Sequence, residues 1–173
     1  MRILSKFLIF AIAVGVILAG VAQAQVASHK LTVRPATDVF KVGSKVRLKV
    51  ELENVSDHDL TITVIPWENN EIHPEIEGFR PVVVDANGKE PPLTKWGRLV
   101  FGRPDPSDNP NHLEFTMVTT SPLAPGKTYT SEIILSDLYD LSVPGTYTVH
   151  VPRFDEDLKV IVKSKATTIT IVP

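Results

Sequence analysis

Residues 139–151, YDLSVPGTYTVHV, carry the strongest indication of fold in this chain. The Pro144-Gly145 pair predicts a turn, because the proline ring presets one backbone angle and glycine accepts a positive φ without a Cβ clash. After this pair, apolar and polar residues alternate, which is the period of a strand with one buried face. Tyr147 lies near the start of that strand, two residues before Val149. The segment therefore predicts a turn followed by a half-buried strand.

A tyrosine at this place resembles the tyrosine corner of immunoglobulin-like β-sandwiches. Val149 stands where antibody domains carry a cysteine, and the chain contains no cysteine. The resemblance implies an immunoglobulin-like sandwich that lacks the inter-sheet disulfide. In it, Pro144, Gly145, Tyr147 and Val149 have structural roles.

Further motifs extend the resemblance: Asn54-Val55-Ser56-Asp57, Ala124-Pro125-Gly126-Lys127, and Leu138-Tyr139-Asp140-Leu141-Ser142 followed by Gly145-Thr146-Tyr147. Together they are similar to immunoglobulin-like domains in secreted bacterial proteins. They also resemble the non-catalytic N-terminal prodomain of deuterolysin-type metallopeptidases. The similarity is sharp near residues 124–149, where the motifs specify turns and packing, so it implies a fold and little about function.

The catalytic motif of that peptidase family is absent from this chain. Its zinc site needs a His-Glu-x-x-His helix, and the nearest pattern is His73-Pro74-Glu75, where the proline opposes a helix. The part of the chain that would follow a prodomain is also too short for a catalytic domain. The resemblance therefore implies a free-standing version of the non-catalytic part.

The first 24 residues have the pattern of a signal peptide. Arg2 and Lys6 give a positive start, an uncharged apolar run follows, and Ala22-Gln23-Ala24 has the small-x-small form of a cleavage site. The alternative is an uncleaved membrane anchor, for which the apolar run is slightly shorter than the span of about 20 residues that a membrane helix needs. We expect cleavage after about Ala24 and a secreted or periplasmic protein.

The composition bounds the remaining domain and its partners. The chain has 173 residues and a formal net charge of −2, and loss of the positive leader makes it more acidic. An acidic domain with dispersed lysines argues against nucleic-acid partners, since phosphate binding needs a concentrated basic face. Contact with a membrane is expected only through an uncleaved leader. Because no disulfide can form, stability must come from an apolar core.

Hydrophobic alternation with period two dominates the chain after the leader. Residues 46–52 predict the clearest half-buried strand, residues 60–64 predict the next one, and we expect the two to pair as neighbours. Further strands are predicted at residues 31–33, 82–84, 113–117, 129–135, 158–162 and 167–172. Residues 136–139 predict one helical turn, and no window outside the leader repeats with the helical period.

About nine strands separated by Pro/Gly turns predict one all-β domain over residues 25–173, an antiparallel immunoglobulin-like sandwich preceded by the signal-peptide helix. The first and the last strand are both candidates for a sheet edge, with Pro173 blocking further pairing of the last one.

Metal sites and cofactors are not expected. The five histidines show no ligand spacing typical of zinc, and we interpret them as scattered surface residues. The candidates for a structural calcium site are two clusters of oxygen-bearing side chains, Asp105, Asp108 and Asn109, or Asp155, Glu156 and Asp157. Neither loop matches a known calcium repeat, so soluble acidic loops are the simpler interpretation.

Two long irregular segments, residues 66–80 and 102–112, are the predicted contact surfaces, since long loops on a rigid scaffold carry function. The binding hypothesis names Trp67, Glu68, Glu71, His73, Phe79 and Trp96. One tryptophan is expected to fill the core, and the other, with Phe79 or Phe101, to lie exposed beside the loops. Burial of both tryptophans is the alternative.

The sequence thus predicts a secreted or periplasmic, non-catalytic binding module for an extracytoplasmic protein or glycan. No cysteine nucleophile, Gly-x-Ser-x-Gly elbow or phosphate loop points to an enzyme. One alternative is a peptidase inhibitor or prodomain-like regulator, implied by the resemblance. A further alternative is a hydrolase that uses carboxylates of the acidic loop 68–77.

Overall fold

The computed structural model describes residues 27–64, 78–107 and 119–173. The elements run in the order β1 (His29–Pro35), β2 (Val39–Lys41), β3 (Arg47–Asn54), β4 (Leu60–Val64), β5 (Val82–Asp85), α1 (Lys95–Val100), β6 (Thr119–Leu123), β7 (Thr128–Ile134), α2 (Leu135–Leu138), β8 (Gly145–His150), β9 (Pro152–Asp155), β10 (Val160–Lys163) and β11 (Thr167–Val172). The predicted leader and the predicted strand at 113–117 lie outside the described residues.

Two sheets form the body of the domain. One has the order β1-β3-β7 with antiparallel neighbours, and the other has the order β2-β11-β8-β5, in which only β2 and β11 run parallel among the described strands. The first order corresponds to strands A-B-E of an immunoglobulin-like sandwich, and β11-β8-β5 corresponds to G-F-C, with β2 added at the edge beside β11. The predicted all-β, immunoglobulin-like fold is confirmed.

The inner faces of both sheets meet in one apolar cluster. The first sheet contributes Leu31, Val33, Leu48, Val50, Leu52 and Ile133, and the second contributes Phe40, Val83, Tyr147, Val149, Ile169 and Ile171. The alternation predicted for residues 46–52 is observed, because every second side chain of β3 is fully buried. Each such burial contributes about 1.5–3 kcal/mol relative to exposure, which makes this interface the main source of stability.

The tyrosine corner is present. The Tyr147 side chain is buried, and its hydroxyl donates a hydrogen bond to the Val143 carbonyl oxygen at 2.7 Å. This is the bond back to the preceding backbone that defines the corner. Val149 is fully buried between Val83 and Thr167, its partners on the two neighbouring strands, and so it fills the predicted core position.

The predicted turn at Pro144-Gly145 is wrong. Gly145 is the first residue of β8 and pairs with Ile171 of β11, so it has the extended angles of a strand and no positive φ. The hydrogen-bonded pairing of β8 with β11 already begins at Gly145, where the Pro-Gly pair predicts a turn. The bend in the chain lies before Pro144.

The pairing of β3 with β4 is also wrong. Both edges of β3 are occupied, by β1 and β7, and β4 pairs with β6 in a separate two-stranded sheet. The last strand, β11, is an interior strand between β2 and β8, whereas β1 is an edge as expected. Where one strand was predicted at residues 158–162, the chain forms the β9–β10 hairpin.

A close helix–helix contact closes the end of the sandwich that carries the tyrosine corner. The Thr94 hydroxyl caps α1 by accepting from the Gly97 N–H at 2.9 Å, and it donates to the carbonyl oxygen of Asp137 in α2. Gly97 is buried so tightly that a Cβ there would lie 2.0 Å from the Leu138 carbonyl oxygen. The short α1 was not predicted, while α2 corresponds to the predicted helical turn.

We predict that Gly97→Ala destabilises the domain by about 1–3 kcal/mol or more, because the added Cβ collides with backbone that cannot move away freely. Alanine favours an exposed helix by only about 1 kcal/mol over glycine, so the clash outweighs this gain. Urea denaturation followed by fluorescence measures the change. Gly145→Ala is the matched control, since the nearest atom to its Cβ is 4.0 Å away. A loss of stability at both positions, or at neither, would contradict this interpretation.

Candidate functional site

The chemically distinctive groups of the molecule gather at the end of the sandwich opposite the tyrosine corner. We call this region the loop end and define it as Ser28–His29, residues 54–61 and residues 152–163. It contains the turn that follows β3, the β9–β10 hairpin that follows β8, and the start of β1. Three buried or bridging side chains hold these segments together.

Asn54 organises the turn after β3. Its side chain is fully buried, and its amide nitrogen donates to the carbonyl oxygens of His58 at 2.8 Å and Leu123 at 2.6 Å. Its amide oxygen accepts from the backbone N–H and the hydroxyl of Ser56. Every polar atom of this buried side chain is therefore paired, which fixes the path of residues 55–58.

Asp155 joins the hairpin to the start of β1. The carboxylate is 0 % exposed, and it accepts hydrogen bonds from the backbone N–H groups of Ser28 at 2.8 Å, Asp157 at 3.0 Å and Leu158 at 3.0 Å. Burial acts to raise the pKa of Asp155, but the hydrogen bonds of Leu158 and Ser28 outweigh it, and the pKa lies below its ordinary value. The group is therefore an ionised anchor.

His29 lies beside this anchor and is 4 % exposed. Its Nδ1 is 3.3 Å from the Ser28 hydroxyl oxygen and 3.7 Å from an Asp155 carboxylate oxygen, whereas Nε2 has no hydrogen-bond partner among the described residues. Burial lowers the pKa of His29 and outweighs the attraction of Asp155. A neutral ring beside a carboxylate favours the proton on Nδ1, which leaves Nε2 as an acceptor.

His58 bridges the turn and the hairpin at the surface. Nδ1 lies 3.0 Å from Asp57 and Nε2 lies 3.1 Å from Asp157. The hydrogen bond to Asp57 raises the pKa of His58, and the charge of Asp157 adds to this effect. The two loop-end histidines therefore differ in their preferred state: His29 is held neutral and His58 is favoured as a cation.

A cleft of about 210 Å³ opens between the turn and the hairpin. Its ionisable lining residues are His29, His58, Asp59, Arg153, Glu156 and Asp157, and Phe154 also lines it. Of its carboxylates, Asp157 contacts His58 and Glu156 contacts Lys159, while Asp59 has no hydrogen-bond or ion-pair partner among the described residues. The three carboxylates of the cleft therefore outnumber Arg153 and His58, and Asp59 is the one that has no partner in the described part of the chain.

A larger cavity of about 360 Å³ lies at the opposite end, beside Val46, Tyr139 and Ile171. The hydroxyl groups of Thr94 and Ser136 that line it already accept hydrogen bonds from the backbone N–H groups of Gly97 and Val46. We place the candidate site at the smaller cleft, because it is lined by the buried His29, whose Nε2 has no hydrogen-bond partner among the described residues.

Of the predicted contact residues, Phe79 is not at the surface. Its side chain is 1 % exposed, stacks on Tyr129 with ring centroids 6.4 Å apart, and lies under the Arg153 guanidinium at 5.3 Å. The expectation that Phe79 lies exposed beside the loops is wrong, because its ring fills the space beneath the hairpin. Trp96, on α1, is partly buried against the core.

The remaining binding residues, Trp67, Glu68, Glu71 and His73, lie outside the described residues, as do Asp108 and Asn109. In the other candidate calcium cluster, residues 155–157, two carboxylates already have protein partners. Asp155 accepts hydrogen bonds from backbone N–H groups, and Asp157 contacts His58. In the part of the chain that the structure describes, no three potential ligands are grouped to hold a metal ion.

Sequence reasoning missed the central residues of the site. The sequence places His29 near the cleaved terminus and Asn54 in a turn, and neither pattern indicates burial. The acidic run 155–157 does not show which of its carboxylates is buried. The one available signal was the polar residue at the inward-facing end of β3, where the alternation of residues 46–52 continues to Asn54.

No family model matches the chain, and no curated protein is significantly similar to it. Among solved structures, the CARDB domain of a Pyrococcus furiosus protein, solved in complex with di-metal ions, has a TM-score of 0.44 at 12% identity, with 84% of this chain and 89% of that chain covered.

A β-glucosidase from Erythrobacter marinus has a TM-score of 0.43 at 14% identity, covering 84% of this chain and 16% of the enzyme. The alkylpurine DNA glycosylase AlkC of Pseudomonas fluorescens, bound to DNA with an abasic-site analogue, has a TM-score of 0.41 at 12% identity, covering 85% and 31%. Similarities this distant transfer no activity, ligand or metal to this chain. Among the described helices, none has both the length and the apolar character needed to cross a membrane.

We predict that Asp155→Asn destabilises the domain by about 1.5–3 kcal/mol, the usual contribution of hydrogen bonds to a charged group. One carboxylate oxygen accepts from Ser28 and the other from Asp157 and Leu158. In the asparagine, one of these oxygens becomes an NH2 group, which cannot accept from the backbone N–H groups that it faces. Thermal and urea unfolding measure the loss. Glu156→Gln is the matched control, since this neighbouring ion pair is exposed and its removal changes stability by less than about 1 kcal/mol. Equal effects at the two positions would contradict an anchoring role.

The two loop-end histidines should give opposite pH dependences. The pKa of His29 is lowered on folding, so its stabilising contribution is present above its unfolded pKa and is lost as the pH falls. The pKa of His58 is raised, so its contribution is present below the unfolded pKa and is lost as the pH rises.

The free energy of unfolding, measured from pH 7.5 to 5.5, should therefore fall less in His29→Leu than in the wild type and fall more in His58→Gln. For each protein, the quantity compared is the difference between its free energies of unfolding at pH 7.5 and at pH 5.5. A loss of stability that a substitution causes equally at both pH values therefore cancels. Changes of slope in the same direction would show that this assignment of the two charge states is wrong.

Proposed function

We propose that this chain is an exported, non-catalytic recognition module that binds an extracytoplasmic partner through its loop end. The observation that carries the proposal is the outer face of the β9–β10 hairpin. There Phe154 and Ile161 are directly opposite each other on paired strands, and they are 48 % and 62 % exposed. Aromatic and aliphatic side chains presented together to solvent are typical of protein contact sites.

The hairpin is held so that these side chains face outward. On β9, residues on either side of Phe154 point toward the domain: Arg153 lies over the Phe79 ring, and Asp155 is buried in its hydrogen bonds. Because successive side chains of a strand point to opposite faces, Phe154 must face away. A surface that is already rigid loses less conformational entropy on binding.

The position of the hairpin in the sandwich also supports recognition. It connects β8 to β11, and the turn at residues 55–59 begins the connection from β3 to β5. These connections correspond to the F–G and B–C loops, which lie at the antigen-binding end of antibody variable domains. This support is an analogy between folds, and the exposed apolar pair is independent of it.

Export and the absence of catalysis are parts of the proposal that the sequence supports. The signal-peptide pattern of the first 24 residues favours a secreted or periplasmic location, and the missing nucleophile motifs favour binding.

A glycan is an alternative ligand for the same surface, since exposed aromatic rings also contact sugars. The similarity to deuterolysin-type prodomains near residues 124–149 keeps a peptidase inhibitor as an alternative, and a panel of extracellular peptidases would test it. The hydrolase alternative depends on residues 68–77, outside the described residues.

A capture experiment tests the proposal. Immobilised mature protein is incubated with the extracytoplasmic fraction of its cells, and bound proteins are identified by mass spectrometry. We expect the double variant Phe154→Ser with Ile161→Ser to capture at least tenfold less of a specific partner than the wild type. A tenfold loss of affinity corresponds to about 1.4 kcal/mol of binding free energy.

The matched control is Val143→Ser, which removes an apolar side chain of 64 % exposure from the opposite end. It should retain the partner, and circular dichroism should show that all variants are folded. Loss of the partner with Val143→Ser, or its retention by the hairpin variant, would reject the loop end as the binding surface.

A further inference from the structure

We propose that the loop-end cleft binds one cationic group, the ammonium or guanidinium of a partner's lysine or arginine side chain. This inference rests on the proposed function, because it names the chemistry that the recognition surface accepts. The polar groups that the cleft leaves available are acceptors, and its size fits the same type of ligand.

The carboxylates give the cleft its preference for a cation. Asp59 lines it without a partner among the described residues. Glu156 contacts Lys159, but both side chains are largely exposed, so this pair is weak and exchangeable. The cationic lining residue Arg153 lies over the Phe79 ring. Arg153 and the favoured cationic form of His58 offset two of the three lining carboxylates, so a positively charged ligand meets one remaining negative charge, that of Asp59.

His29 supplies a second, independent observation. It is more than nine-tenths buried, it lines the same cleft, and its Nε2 has no partner among the described residues. With the proton on Nδ1 beside Asp155, Nε2 is an acceptor. Leaving a buried acceptor unpaired is unfavourable, so a ligand rich in N–H donors is the complement of this site.

The size of the cleft limits the ligand to one side chain. Its volume is about 210 Å³, whereas pockets for drug-sized molecules measure roughly 300–1,000 Å³. At about 30 Å³ per water molecule, the cleft holds about seven waters. This volume fits the end of a long basic side chain whose backbone remains outside, against Phe154 and Ile161.

A nuclear magnetic resonance titration of the isotopically labelled mature protein tests the inference. The probe is N-acetyl-arginine amide, and the control probe is N-acetyl-citrulline amide, which has the same shape without the charge. We expect saturable shifts for the arginine probe at the amides of Asp59, Phe154 and Asp157 and at the ring nitrogens of His29, and weakening by added salt. Equal shifts with the citrulline probe, or none with either, would overturn the proposal.

Substitutions locate the bound cation. Asp59→Asn should weaken binding of the arginine probe about twofold to fivefold, as expected for one exposed ion pair. Asp38→Asn, which neutralises an exposed carboxylate ahead of β2, should leave the affinity unchanged. If both variants bind like the wild type, or both weaken equally, the cation is not held in the cleft.

The two proposals fail separately. Failure of the arginine probe together with partner capture that depends on Phe154 and Ile161 would overturn the cationic ligand and retain the recognition surface. Probe binding together with capture that is independent of the hairpin would reject the proposed function and retain a cation-binding cleft.

Discussion

The loop end depends on one constraint, the solvation of the buried Asp155 carboxylate. An ionised carboxylate without solvent is very unfavourable unless hydrogen-bond donors replace water. Here the donors are backbone N–H groups of Ser28, Asp157 and Leu158. Two of them belong to the hairpin turn and the third precedes β1, so their geometry must be satisfied together. The position of the hairpin, the burial of His29 beside it and the outward direction of Phe154 all follow from this arrangement.

Stability and geometry come from different parts of the molecule. The apolar interface between the two sheets supplies most of the favourable free energy, but apolar contacts are not directional and tolerate small shifts. Asn54 and Asp155 are directional, because a shifted loop would leave a buried donor or acceptor unpaired. The loops at this end are therefore fixed by a few polar side chains on a scaffold that is stabilised independently. The tyrosine corner has the corresponding role at the other end, where the Tyr147 hydroxyl holds the Val143 carbonyl.

The fold class could be predicted because the information is local. Alternation along β3 and the position of Tyr147 depend on neighbouring residues only, and both predictions are confirmed. Strand pairing depends on residues distant in sequence: β3 pairs with β7, which follows about eighty residues later, and no local pattern shows that β4 is excluded from it. Gly145 is extended for the same reason: its pairing with the distant strand β11 outweighs the local preference of a Pro-Gly pair for a turn. Phe79 was misplaced because a short apolar stretch in an irregular segment does not reveal what covers it.

The site was less predictable, because its chemistry depends on burial. Three adjacent acidic residues, 155–157, form a uniform run in sequence, yet each has a different role: Asp155 is an internal anchor, Glu156 a solvated charge, and Asp157 a bridge to His58. The two histidines diverge for the same reason. Burial beside a satisfied carboxylate keeps His29 neutral, whereas two accessible carboxylates favour the charged form of His58. A neutral His29 keeps Nε2 as an acceptor, and Arg153 and His58 offset only two of the three carboxylates of the cleft. The loop end therefore retains negative charge, and it also exposes the Phe154 ring. This charge distribution arises because residues of the same type differ in burial and in contacts once the chain is folded.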